Sequence, residues 1–147
     1  MRRFQKCLLC LIAISGSLAL AGCSEQGPLL GTVSGTITLE GEPLENAFVV
    51  FSPTSLAAGV TEVNAAEKTD ANGYYEMQYG IESMGVPPGT YQVQISTADW
   101  IKQPDGSNKV IKESVPRHYV GIDSVLEFTV VEGENDASFD LSKKKPK

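Results

Sequence analysis

Apolar and polar side chains alternate over Val33-Ser34-Gly35-Thr36-Ile37-Thr38-Leu39. Val33, Ile37 and Leu39 fall on one face and Ser34, Thr36 and Thr38 on the other, the period of a half-buried strand. Glu40-Gly41-Glu42-Pro43 reads as a turn. Ala47-Phe48-Val49-Val50-Phe51 is apolar on both faces, which predicts a central strand ended by Pro53. A small, polar loop from Ser55 to Asn64 precedes a strand over Ala65 to Thr69. Asp70-Ala71-Asn72-Gly73 is a hairpin-turn signal leading into Tyr74 to Tyr79, where Tyr75, Met77 and Tyr79 share a face.

After the rigid corner Val86-Pro87-Pro88-Gly89, Tyr91, Val93 and Ile95 alternate with Thr90, Gln92, Gln94 and Ser96. From Asp99 to Pro116 there is no clear period, and Pro104-Asp105-Gly106 marks a turn, so this stretch is expected to be a long connection. Val125 to Val131 and Ala137 to Leu141 flank Glu132-Gly133-Glu134-Asn135 and predict a closing hairpin. In it Leu126, Phe128 and Val130 face Ala137, Phe139 and Leu141. Short strands, frequent turns and no amphipathic helix beyond residue 23 predict an all-β fold, an antiparallel Greek-key-type β-sandwich of about seven strands.

The first residues follow a different grammar. Arg2, Arg3 and Lys6 precede an apolar run from Cys7 to Leu20 that is short for a membrane span, and the run ends in Leu20-Ala21-Gly22-Cys23. This motif resembles the lipobox of bacterial lipoproteins. The resemblance implies a diacylglyceryl thioether on Cys23, cleavage between Gly22 and Cys23, and membrane attachment through the lipid. Two or three acyl chains satisfy the two-signal requirement for stable anchoring. The alternative is an ordinary secretory signal that leaves Cys23 a free thiol. The organisation expected is a signal peptide over 1–22, a flexible tether over 23–31, the sandwich over 32–142 and a basic tail over 143–147. Ser24 lacks the aspartate that commonly retains lipoproteins at the inner membrane, so the outer membrane, facing periplasm or exterior, is the expected location. Cys7 and Cys10 are spaced like a redox pair but lie in the discarded run.

The precursor carries a net charge of −6, and loss of the three basic leader residues takes it to −9. That balance argues against nucleic acid as a partner. Lys143-Lys144-Lys145-Pro146-Lys147 reverses the sign locally and reads as a solvated end.

Four segments in order are Val33-x-Gly35-x-Ile37, Pro43-Leu44-Glu45-Asn46-Ala47-x-Val49-x-Phe51, Thr69-Asp70-Ala71-Asn72-Gly73-Tyr74-Tyr75, and Pro88-Gly89-Thr90-Tyr91-x-Val93. Together they resemble the carboxypeptidase regulatory-like domain, a transthyretin-like β-sandwich. Val115-Pro116-Arg117-His118-Tyr119 and the ending Phe139-Asp140-Leu141 also resemble small bacterial lipoproteins built from this one domain. The resemblance implies a fold and no activity, since the domain is the accessory sandwich of metallocarboxypeptidases and not their catalytic unit.

Candidate chemistry is sparse. Asp70-Ala71-Asn72-Gly73 lacks the further oxygen ligands of a calcium loop, and no metal or other cofactor is expected. His118 is the single histidine, so any hydrolytic triad must use it, yet no Gly-x-Ser-x-Gly elbow accompanies it. Glu132 and Glu134 lie too close in a turn to suggest glycoside hydrolysis. Trp100 is the single tryptophan, expected to plug one end of the sandwich. Exposed, it would offer a binding surface with an outward Tyr74 or Tyr119. The reading is therefore a non-catalytic structural, adhesive or partner-binding protein. The alternatives are a carbohydrate-binding module and, least favoured, a hydrolase using His118. Envelope proteins or glycans are the possible partners.

Overall fold

The computed structural model describes residues 30–56, 64–79 and 83–144. The leader, the lipobox with Cys23, most of the tether and Lys145 to Lys147 lie outside the described residues. The strands are β1 (Gly31–Leu39), β2 (Glu42–Pro43), β3 (Phe48–Leu56), β4 (Ala65–Lys68), β5 (Tyr74–Glu76), β6 (Gln78–Tyr79) and β7 (Ser83–Met84). They continue with β8 (Gly89–Ser96), β9 (Asp99–Lys102), β10 (Asn108–Ile111), β11 (Leu126–Val130), β12 (Gly133–Asp136) and β13 (Phe139–Leu141). Two 3-10 turns, Arg117–Tyr119 and Gly121–Asp123, precede β11.

Two sheets enclose one core, as the alternation predicts. The first is organised around β1, which pairs with β2, β5, β12 and β13; the second runs β11-β8-β3-β4. Val33, Ile37, Tyr75 and Leu141 face Val49, Phe51, Tyr91, Val93 and Ile95, all buried. Four rings bridge the layers. Phe51 lies 5.8 Å from Tyr91 and 6.0 Å from Phe128, and Phe128 meets Phe139 of the other sheet edge-on at 6.3 Å. Buried Tyr75 donates its hydroxyl to Ala137 O at 2.6 Å, and removal from water pushes its pKa upward, with the Asp136 charge adding to the effect.

The structure corrects several expectations about connectivity. Val125 to Leu141 is no hairpin: β11 pairs with β8 in one sheet, while β12 and β13 pair with β1 in the other. The two faces still meet, but across the core instead of along a ladder. That crossing makes the sandwich mixed, because β12 and β13 run parallel to β1; the other strand pairs are antiparallel. The Asp70 turn is likewise a crossing between sheets and not a hairpin. β4 pairs with β3 and β5 with β1, while Asp70 Oδ1 accepts from the amides of Asn72 and Tyr74 at 2.8 and 2.9 Å. Gly73, at φ +74°, has the left-handed conformation that this turn needs. Pro53 does not end β3; the strand continues to Leu56 through a register shift between Pro53 and Ser55. Tyr75 and Met77 share the core face, and the side chain of Tyr79 lies outside the described part.

Gly35 marks the closest approach within the first sheet. Between the β12 and β13 pairings the carbonyl of Ala137 passes so near that a Cβ on Gly35 would sit 2.5 Å from it. There Ala137 N donates to Ser34 O and Thr36 N to Ser138 Oγ, so side-chain chemistry carries the ladder across the gap.

The sandwich has two distinct ends. Gly31 bonds with Val86 through both main-chain groups and lies beside Val131, at the end where β8 begins. At the other end β8 finishes at Ser96, opposite Phe48, and the chain after Leu141 leaves there, held by Glu40 Oε1 through Ser142 Oγ and Lys143 N. The eight residues of β8 set these ends about 25 Å apart.

Candidate functional site

The stretch after Ser96 is not an irregular connection. β9 and β10 form an antiparallel hairpin that pairs with no other strand among the described residues, with Trp100 opposite Val110 and Lys102 opposite Asn108. Its turn is well built: Gln103 N donates to Ser107 O, Gly106 N to Gln103 O, and Asp105 Oδ1 accepts from both Ser107 N and Ser107 Oγ. We refer to this hairpin as the arm. Its strands lack a clear period because solvent reaches both faces, so no alternation marks an inside. The Pro104-Asp105-Gly106 turn between Trp100-Ile101 and Val110-Ile111 is the signal by which the hairpin is legible.

The arm is pinned at its root. Glu113 reaches back to the end of β8. Its Oε1 accepts from Thr97 N, Thr97 Oγ1, Ser114 N and Val115 N at 2.8 to 3.0 Å, and its Oε2 accepts from Ser96 Oγ at 2.5 Å. Partial burial raises the Glu113 pKa, but the hydrogen bonds from Ser96, Thr97 and Val115 outweigh it and leave the carboxyl below its ordinary value. On the other side Asp99 Oδ2 meets Lys68 Nζ at 2.7 Å, and that ammonium sits 4.4 Å from the centre of the Phe48 ring. The Lys68 hydrogen bond and the Trp100 amide on its other oxygen lower the Asp99 pKa.

Glu113→Gln keeps the shape and removes the charge, and should cost about 1 kcal/mol, solvent screening holding it to the low end. Amide exchange at Thr97, Ser114 and Val115 should quicken while the core amides keep their protection. Because the folded-state pKa is lowered, the contribution of Glu113 is fully present above the ordinary carboxylate range and disappears as pH falls through the lowered value. The wild-type arm should therefore loosen only in acid, below the ordinary carboxylate range, and root amides as well protected in Glu113→Gln as in the wild type at neutral pH would contradict the latch.

Trp100 is 79 % exposed and Val110 62 % exposed, so the expected plug is instead a presented ring. Strand pairing explains the difference: among the described residues β9 joins β10 alone, so the ring stands on the face of a two-stranded hairpin. At the arm's root Phe48, Ala98, Asp99, Trp100, Val110 and Ile111 line a groove of about 340 Å³. Tyr74 faces outward at 43 % exposed, but on β5 of the other sheet and away from this groove. Tyr119 is no surface residue. At 4 % exposed it joins the core from the turn Arg117–Tyr119, and its hydroxyl accepts from Ser142 N. The three aromatic candidates are thus not brought together, and Trp100 alone marks a site.

His118 packs against the Tyr119 ring at 4.1 Å, and its Nε2 is buried with no hydrogen-bond partner. Among the described residues no carboxylate or hydroxyl bonds to that nitrogen, and they assemble no triad around it. A cleft of about 410 Å³ beside it is lined by Arg117, Asp123 and Val125, where Arg117 and Asp123 form an exposed ion pair at 3.5 Å. Glu132 and Glu134 are both exposed, but the expected turn is in part a strand: Gly133, Glu134 and Asn135 belong to β12, where Glu134 pairs with Thr32.

No protein-family model matches the chain, and no curated protein matches it. Among solved structures the chain is similar to BcpA, the major pilin subunit of Bacillus cereus, at 15 % identity and a TM-score of 0.44, over 80 % of this chain and 31 % of that one. It is similar also to a 9R-lipoxygenase from Cyanothece PCC8801, at 15 % identity and a TM-score of 0.41, over 78 % of this chain and 16 % of that one. The chain thus spans about a third or less of the length of these proteins, and neither likeness transfers an activity.

Proposed function

We propose that this protein is a non-catalytic, lipid-anchored β-sandwich of the cell envelope that presents a binding arm to an envelope partner. The observation that carries the reading is Trp100, largely exposed on a hairpin whose root is held by Glu113 and by the Asp99–Lys68 pair. A large exposed ring on a rigid support gives contact area at small entropic cost, the property of a binding anchor. Residues Leu20-Ala21-Gly22-Cys23 support the anchored location, and Ser24 supports the outer membrane. The resemblance to a carboxypeptidase regulatory-like domain supports a scaffold and not chemistry, and no step is assigned to His118.

The anchoring half is tested by intact mass of the protein extracted from membranes, beside a Cys23→Ser variant. The expected wild-type protein begins at Cys23 with acyl chains added, while the variant partitions to the soluble fraction. An unacylated, soluble wild type would overturn the anchoring and leave a secreted binding protein. For the binding half, a photo-crosslinking side chain at Val110 in the native envelope should form adducts that a probe at Glu127, on β11, does not form.

A further inference from the structure

We infer that the arm pairs with the arm of a second copy of this chain, β10 against β10 across a two-fold axis, an inference that rests on the reading of the arm as a binding surface and names its partner. The first argument is what the arm lacks. Among the described residues β9 and β10 pair only with each other, and an isolated two-stranded hairpin is marginal in water, whereas a wider sheet with an apolar face is not. Trp100, Ile101 and Val110 stand exposed on these strands, apolar surface that two strands leave wet.

The free edge is the second argument. Gln103 N donates to Ser107 O, and the alternation of an antiparallel ladder then gives the next exchanged bonds to Ile101 with Lys109 and to Asp99 with Ile111. The main-chain groups of Asn108 and Val110 therefore point away from β9, along an edge that carries no strand among the described residues. The outer edge of β9 is not equivalent, because Asp99 Oδ1 already takes the Trp100 amide at 2.7 Å.

The order of residues in β10 selects a register. With Val110 on the axis, the two Val110 residues exchange their outward main-chain bonds, and Lys109 of each copy faces Ile111 of the other. Centring on Lys109 would set two ammonium groups directly opposite, which is unfavourable. Centring on Ile111 would leave that residue alone in the overlap of the two strands. The Val110 register also joins Trp100 and Val110 of one copy to Val110 and Trp100 of the other, an apolar row about 14 Å long across four strands.

Charge favours the same place. Two copies of a chain with net charge −6 repel each other over most of their surface. Residues 99–113 hold three carboxylates, Asp99, Asp105 and Glu113, and three lysines, Lys102, Lys109 and Lys112, so the arm itself sums to zero. It is a part of the molecule that a second copy can approach without net repulsion. The overlap is short, so the dimer is weak, with a dissociation constant on the order of 10–100 μM.

The full chain is sedimented in density-matched detergent, micelles in excess, from about 1 to 300 μM protein. The protein mass should rise from one chain toward two. Val110→Pro removes an amide that points away from β9, so the hairpin keeps its bonds while the dimer should weaken at least tenfold, a flagged order of magnitude of roughly one decade. Val110→Glu and Val110→Lys should each weaken association about tenfold, and an equal mixture of the two should regain it, because the axis sets these side chains against each other. Both charge variants alter an exposed side chain and should unfold with the wild-type midpoint. A monomer at every concentration, a proline variant that associates as the wild type does, or a mixture no tighter than its parts overturns the inference. If no dimer forms while the Val110 probe still crosslinks to a different envelope protein, the second copy is wrong and the arm remains a binding surface. If that probe crosslinks to nothing, the arm reading falls with it.

Discussion

Replacing Phe51 by alanine is expected to lower the unfolding free energy by about 3–5 kcal/mol, as for other fully buried phenylalanines. The ring is fully buried between Tyr91 on its own sheet and Phe128, which in turn reaches Phe139 on the facing sheet. Truncation therefore opens a cavity at the place where the layers are joined, and the surrounding rings belong to strands too well paired to close over it. Urea unfolding followed by circular dichroism measures the loss. A cost below about 1 kcal/mol would mean that the sheets do not pack through these rings.

Gly35→Ala is expected to cost about 3 kcal/mol, although it adds a single methyl group. The added Cβ would lie 2.5 Å from the main-chain carbonyl of Ala137, and backbone cannot yield as a flexible side chain does. Relief requires β12 or β13 to move away from β1, which endangers the Ala137–Ser34 bond and the bond from the buried Tyr75 hydroxyl to Ala137 O. By contrast, Gly41→Ala meets nothing within 4 Å and tests only the positive φ of that residue. Comparing the two midpoints separates close packing from backbone conformation; equal losses would remove the close-approach argument.

Much of the layer structure is legible in residue order because water defines an inside for it. Val33 and Ile37, and Tyr91, Val93 and Ile95, alternate with polar residues, and each is buried as the period predicts. Partner choice is another matter. The segments on either side of Glu132-Gly133-Glu134-Asn135 carry the pattern of a hairpin, and nothing in a period of two states whether the next strand pairs beside its predecessor or crosses the core. Here Asn135 decides, turning its side chain inward to bond Thr32 O, Val131 O and Gly133 O and so directing β12 to β1. The candidate site is hidden for the opposite reason. An arm wetted on both faces has no apolar face to alternate with a polar one, and tryptophan's habit of burial points the wrong way for Trp100. Glu113 reads as one more solvated charge until the fold folds Ser96 and Thr97 around it.

The placement of the chain's course at opposite ends of the sandwich has a mechanical consequence. Tension applied between residues preceding Gly31 and the arm would run along the strand axes from one end to the other. β1, the first strand to feel that load, is held on its flanks by β5, β12 and β13 through bonds that lie across the direction of pull. They must then yield together in shear and cannot open one after another like a zip. The fold is therefore expected to resist a pull along its strands better than one across them.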